Sequence, residues 1–291
     1  MNQALTSLTE QLKLTSLDKD TFLGQSVDLF GSGRVFGGQV LGQSLMAASR
    51  TIANPKREAH SMHAYFLLPG DTNEPIRYEV ERIRDGGSFS ARRVVAIQRE
   101  RPIFFMSASF QAAEPGFEHQ ATMPTVPSPT SLQSEVELFR AIANELPPTM
   151  AERAMQAPPL DIRPVNPINL LNPGAHLPYS HVWFKVNGSL PEDPLLHKSM
   201  LAYTSDLHLL DTALLPHGQS FLSPSLQMAS IDHAMWFHRP INMNDWLLYA
   251  LESPSASNAR GFCRANIFDR HGHLVASCAQ EGLIRKVPAK T

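Results

Sequence analysis

HSMHAYFLLP at residues 60–69 and QMASIDHAMWFHRP at residues 227–240 carry the same local text twice: His-Ala, an aromatic pair, then a proline. Counted from His63 and His233, each is followed by a polar turn and a strand-like run, IRYEVERI (76–83) or WLLYALES (246–253). Next come SFSARRVVAIQ (88–98) and SNARGFCRANIF (257–268), which share Ala-Arg at 91–92 and 259–260. A short polar turn, RERP (99–102) or DRHGH (269–273), then leads into a last strand, IFFMSASFQ (103–111) or LVASCAQEG (274–282). Turns of this kind join antiparallel strands. The copies also agree in length, with 42 positions from Pro69 to Gln111 and 40 from Pro240 to Gln280. The chain reads as a tandem duplication.

One helical segment precedes each copy. GGQVLGQSLMAASRTI (37–52) has apolar residues at 41, 45, 46 and 48, and HKSMLAYTSDLHLLDTALL (197–215) has them at 200, 201, 207, 210 and 214. Both patterns follow helical spacing. A helix laid across a curved antiparallel sheet is an α+β arrangement, and duplication predicts two such sheets side by side. Residues 112–180 hold twelve of the 23 prolines, which rules out a continuous helix or a central strand. The expected organisation is an N-terminal repeat over 1–111, a proline-rich linker with a short helix at SEVELFRAIANEL (134–146) over 112–160, and a C-terminal repeat over 161–291. A strand is expected at HVWFKVNG (181–188).

Composition narrows the function classes. With 43% hydrophobic residues in 291, the chain can bury a large core. A net charge of −2 and the lack of a Lys/Arg run give no footprint for nucleic acid. No run of about 18 apolar residues appears, so no membrane span is expected. The N-terminal MNQALTSLTEQLKL lacks an export pattern, and RKVPAKT at the other end is not a peroxisomal signal. Cys263 and Cys278 are too few for a disulfide framework and read as small core side chains of a reducing compartment, so a cytosolic location is expected.

The combination VFGGQVLGQSL (35–45), HAYFLLPGD (63–71), RDGGSFSARRV (84–94), SFQ (109–111), DHAMWFHRP (232–240), SASNARG (255–261) and VASCAQEGLIR (275–285) resembles the acyl-CoA thioesterase II family. The likeness runs over nearly all of the chain. It implies a tandem double hotdog, two antiparallel sheets each wrapped around one long helix, that hydrolyses fatty acyl-CoA to free acid and CoA. Matched motif to motif, it implies a carboxylate at Asp206 in the helical YTSDLHLL, a hydroxyl at Ser230 and an amide at Gln280, arranged about one water. Many members carry threonine where this chain has Ser230, and serine keeps the oxygen. Neither cofactor nor metal is implied. Hotdog sheets expose long edges and flat faces, so a homo-oligomer, dimer or tetramer, is expected.

Other readings compete. Asp232-His233 looks like a catalytic pair, but its counterpart His63 follows no acid, so His233 reads as structural. His60 falls opposite Ser230 by repeat spacing and reads as a core hydrogen-bonding residue. Arg92, Arg93 and Arg260 are candidates for CoA phosphates, although exposed strand arginines are common. The missing G-x-S-x-G argues against an α/β-hydrolase. GDTNEPIR (70–77) faintly resembles hotdog enoyl-CoA hydratases, with Ile76 or Arg77 where that chemistry needs histidine. A non-catalytic acyl-CoA binder is the remaining alternative. Counting back from His60 by the Asp206–Ser230 separation reaches Phe36-Gly37-Gly38, which offers neither acid nor hydroxyl, so one site per chain is expected, in the second copy.

Overall fold

The computed structural model describes residues 2–287; Met1 and the last four residues of the RKVPAKT end lie outside the described part. Helix α1 (Gln3–Leu12) leads into short strands β1 (Thr15–Ser16) and β2 (Thr21–Gly24), then helix α2 (Gly37–Arg50) and strands β3 (Arg57–Phe66), β4 (Ile76–Asp85), β5 (Phe89–Gln98) and β6 (Arg101–Ala112). Helices α3 (Glu135–Ala141) and α4 (Pro148–Ala154) and strands β7 (Leu160–Pro164) and β8 (Tyr179–Val186) follow. Helix α5 (Pro194–Thr204) is followed by β9 (Leu226–Ser230), β10 (Asp232–Phe237), β11 (Leu247–Ser257), β12 (Arg260–Asp269) and β13 (Leu274–Lys286).

The two sheets expected side by side are fused into one. All strands pair antiparallel in the order β1-β2-β4-β5-β6-β3-β10-β13-β12-β11-β8-β7, with β9 also on β13. The seam is β3 against β10, Ala64 opposite His233 and Met62 opposite Met235, so the two quoted stretches of sequence are the strands that join the halves. Their alternation of buried and exposed residues puts Met62, Ala64, His233 and Met235 inside, while Tyr65 and Trp236 face out.

Helices α2 and α5 cross inside the sheet's curve, and their sequences explain why they can approach so closely. A Cβ on Gly38 would strike the Tyr203 carbonyl, and one on Gly42 would lie 2.8 Å from the Ser199 carbonyl. The GGQVLG run therefore removes side chains where two backbones touch. Because α2 is buried from Gly38 to Ala48, its polar residues need internal partners. Gln43 accepts from the Tyr78 hydroxyl at 2.6 Å and donates to the Gln11 carbonyl at 2.6 Å. Helix α5 starts at Asp193, whose carboxylate caps the Leu195 and Leu196 N–H groups, with Pro194 in the first turn.

Residues 197–215 do not form one helix as their spacing predicts. Helix α5 ends at Thr204, and the rest becomes two 3-10 turns, Leu210–Ala213 and Leu215–His217. Side chains take over its last carbonyls: Thr204 Oγ1 donates to Met200, Ser205 Oγ lies 2.9 Å from the Ala202 carbonyl, and the Tyr249 hydroxyl donates to Ser205 at 2.6 Å. Pro216 then blocks further helix, and His208 turns the chain with φ of 63°. In the proline-rich segment, α3 carries the capping box Ser134–Glu137. Strand β7 was not anticipated; it tolerates Pro164 because it is the outermost strand. Among the described residues no helix is long and apolar enough to cross a membrane.

Candidate active site

The three implied residues come from three elements and meet. Asp206 sits just beyond the end of α5 rather than inside a helix, because Ser205 is already the cap. Ser230 ends β9, and Gln280 lies within β13. Beside them β13 pairs with β9 in one register, Ser230 opposite Gly282, and with β10 in another, Ala234 opposite Ala279. The resulting irregularity at Ile231 separates Ser230 from the regular ladder.

Gln280 is 1% exposed, and its amide nitrogen donates to Asp206 Oδ1 at 3.1 Å and to Ser230 Oγ at 2.6 Å. The Ser230 hydroxyl donates to the same Asp206 oxygen at 3.3 Å. Burial lifts the Asp206 carboxyl to about 7, against the lowering effect of Gln280, Ser230 and the Gly38 N–H. Nearby Asp211 pushes it the same way as burial.

The first half closes the site. Phe36-Gly37-Gly38, reached above by counting back from His60, is not the counterpart of Asp206. The loop from α5 to β9 is far longer than that from α2 to β3, so equal counting lands at the start of α2 instead of its end. That start faces Asp206 itself: a Cβ on Gly37 would lie 2.5 Å from Asp206 Oδ2. Phe36 gives the helix no side-chain cap, and the Gly38 N–H of the first turn is bonded to the Asp206 carboxyl. At the opposite helix ends, a crevice of about 230 Å³ is lined by Ser49, Ile52, Glu58 and Lys198. There Lys198 bonds Glu58 at 2.7 Å and the Ala59 carbonyl at 2.9 Å.

The remaining candidates have local partners. Asp232 accepts from the Glu281 N–H at 2.7 Å and makes no pair with His233. His60 bonds Ser109 at 2.8 Å. Arg92 is buried against Asp85 and Thr51, Arg260 pairs with Glu281 at 2.9 Å, and Arg93 remains largely exposed. Ile76 is fully buried and Arg77 is held by Glu79 and Glu100, so the hydratase-like position offers no acid or base. His233, taken as structural, is in contact with the site: its Nδ1 lies 3.0 Å from Gln280 Oε1. No spacing in the sequence links residues 233 and 280; only the β10–β13 pairing does. Among the described residues no cluster of three or more His, Cys, Asp or Glu could hold a metal ion.

Residues 156–283 match the family described as acyl-CoA thioesterase, and residues 27–111 match its N-terminal domain. The chain is 44% identical to acyl-CoA thioesterase 2 of Haemophilus influenzae, over 98% of this chain and 99% of that one. It is 39% identical to human acyl-coenzyme A thioesterase 8, over 97% and 89%. Among solved structures it resembles acyl-CoA thioesterase II TesB2 from Mycobacterium marinum, with TM-score 0.78, 39% identity and coverage of 98% and 99%. A hot dog fold protein from Alicyclobacillus acidocaldarius, 16% identical with TM-score 0.77 over 96% and 98%, shares the architecture, which is a tandem double hotdog.

Proposed function

The chain belongs to the acyl-CoA thioesterase II family, and we propose that it hydrolyses fatty acyl-CoA to free acid and CoA through one water held by Asp206, Ser230 and Gln280. The observation that carries this reading is the convergence of the Ser230 hydroxyl and the Gln280 amide on one oxygen of a carboxyl raised to about 7. A general base is most effective when its pKa lies near the working pH, and such a group contributes about 10²–10⁴-fold.

A thioester carbonyl is already a good electrophile, so no covalent intermediate is required. The water oxygen attacks the acyl carbon while its proton passes to Asp206. Negative charge gathers on the former carbonyl oxygen, which the positive N-terminal end of α2 beside Asp206 can stabilise. As the tetrahedral intermediate collapses, the C–S bond breaks and the proton held by Asp206 goes to the departing thiolate. Ser230 and Gln280 hold the water and the carboxylate in line, an orientation effect.

The division into repeats over 1–111 and 161–291 with a linker between them belongs to the same reading, as does a cytosolic location. Exposed Tyr65, Leu67, Leu68 and Trp236, on or beside the outer face of the seam strands, support association into a dimer or tetramer. The test is release of free thiol from acyl-CoAs running from acetyl to palmitoyl, for the unaltered protein and Asp206→Asn. Turnover by the first and its loss in the second support the proposal. Binding without thiol release would make the protein an acyl-CoA binder, and full activity in Asp206→Asn would remove the carboxylate from the mechanism.

A further inference from the structure

Beneath the three site residues lies a buried polar layer with no part in the scheme above. His233 is 0% exposed. Its Nδ1 faces Gln280 Oε1 at 3.0 Å, and its Nε2 faces Ser205 Oγ at 3.0 Å. Ser205 is the residue before Asp206, and its carbonyl accepts from the Tyr249 hydroxyl. The imidazole thus bridges the strand that carries Gln280 and the helix end that carries Asp206.

Counting donors fixes the proton on this ring. The Gln280 amide has two N–H groups, and its nitrogen already meets Asp206 Oδ1 at 3.1 Å and Ser230 Oγ at 2.6 Å. Its oxygen is therefore the atom turned to the ring, and a carbonyl oxygen only accepts. Nδ1 must carry the proton; Nε2 is then bare and faces the Ser205 hydroxyl, whose one proton lies between Nε2 at 3.0 Å and the Ala202 carbonyl at 2.9 Å. The other tautomer would set two lone pairs face to face. The amide would then turn over, aiming its oxygen at the Asp206 carboxylate and withdrawing both donors from the site.

We infer that His233 is a positioning residue for hydrolysis: as the Nδ1–H tautomer it locks the Gln280 amide with its NH₂ toward Asp206 and Ser230, and Ser205 supports that tautomer. The inference rests on the roles proposed above for Asp206, Ser230 and Gln280. Burial pulls the imidazole down to about 4, with the Gln280 bond opposing, so the ring stays neutral where the carboxylate works. Asp211 on the following turn, Tyr203 on α5, Tyr249 on β11 and Cys278 on β13 are the other ionisable groups near Asp206. Both tyrosines and the cysteine are pushed up by burial and remain neutral.

The experiment compares kcat, KM and the acid limb of the pH–rate profile in His233→Leu, His233→Asn and Asp206→Asn. Without its donor, His233→Leu should lose about 10–100-fold in kcat with KM within about threefold. Its acid limb should rise by about one pH unit, because Asp206 loses a well-aimed hydrogen bond. His233→Asn keeps an N–H near the Nδ1 position and should restore most of both. A folded His233→Leu with the unaltered limb and kcat overturns the inference. Should His233→Leu fail to fold, nitrogen-15 NMR of the unaltered protein decides: Nδ1 protonated and Nε2 bare between about pH 5 and 9 supports the assignment, and a proton on Nε2 refutes it. A fully active Asp206→Asn defeats the underlying mechanism instead, whereas an inactive one beside an unaffected His233→Leu defeats this inference alone.

Discussion

Asp206→Asn should cripple catalysis and stabilise the fold, and both effects trace to one carboxyl. The exchange keeps shape and volume while removing a group able to take a proton, so kcat should fall by at least about 10² with acyl-CoA still bound. The effect on stability follows from the shift of the carboxyl from 3.8 to about 7, caused first by burial. A group that holds its proton more tightly when folded contributes most below its unfolded pKa, and that contribution is lost as pH rises through about 7. Above that pH the folded chain keeps an ionised carboxylate that water would solvate better. A shift of about three units corresponds to about 4 kcal/mol, and partial solvent access brings the expected range to about 1–4 kcal/mol. Asparagine never ionises. Denaturant melts should therefore show the variant more stable by that amount near pH 8, the difference shrinking toward zero near pH 4. Equal or lower stability at pH 8, or undiminished thiol release, would refute the reasoning.

Ser230→Thr keeps the oxygen that lies 2.6 Å from Gln280 and should stay within about fivefold of normal kcat, whereas Ser230→Ala should lose about 10–100-fold in steady-state thiol release. Gln280→Ala should cost about tenfold or more in kcat, while Gln111→Ala, whose position in β6 lies opposite Glu58, should change only stability or KM, as read from kinetics and melts run together. For His208, burial opposes charge, yet Glu135 at 3.2 Å and Asp211 lift it to about 9. Its contribution to stability is complete below about pH 6.5 and lost as pH rises through about 9, so Glu135→Gln should lower stability near pH 6 by about 1–2 kcal/mol and flatten its fall across that window in denaturant melts.

The duplicated motif was enough to place the strands, because period-2 burial and turn residues are local properties. IRYEVERI, LVASCAQEG and all of SFSARRVVAIQ after Ser88 lie in strands of the folded chain. Helix α2 was equally legible, although the reason for its glycines, a backbone crossing with α5, depends on a partner far along the sequence. The break after Thr204 was hidden: the apolar spacing of 197–215 continues, and only tertiary contacts such as Tyr249 to the Ser205 carbonyl end the helix. The gathering of Asp206, Ser230 and Gln280 is not written in spacing, since the β9–β13 pairing and the end of α5 bring them together, and only the family resemblance points to them. His233 has no local signature for a part in the site, because its partner stands on the neighbouring strand. The facing of Gly37 toward Asp206 was missed for a different reason, a loop length that differs between the repeats.

Intact-mass analysis of the protein, quenched on the millisecond scale during turnover of an acyl-CoA, bears most directly on the attack by a held water. If Asp206 takes the proton of that water while Ser230 and Gln280 orient it, the spectrum shows only the unmodified chain while free acid and CoA accumulate. An acyl group on Ser230, or on Asp206 as an anhydride, would contradict direct attack by water.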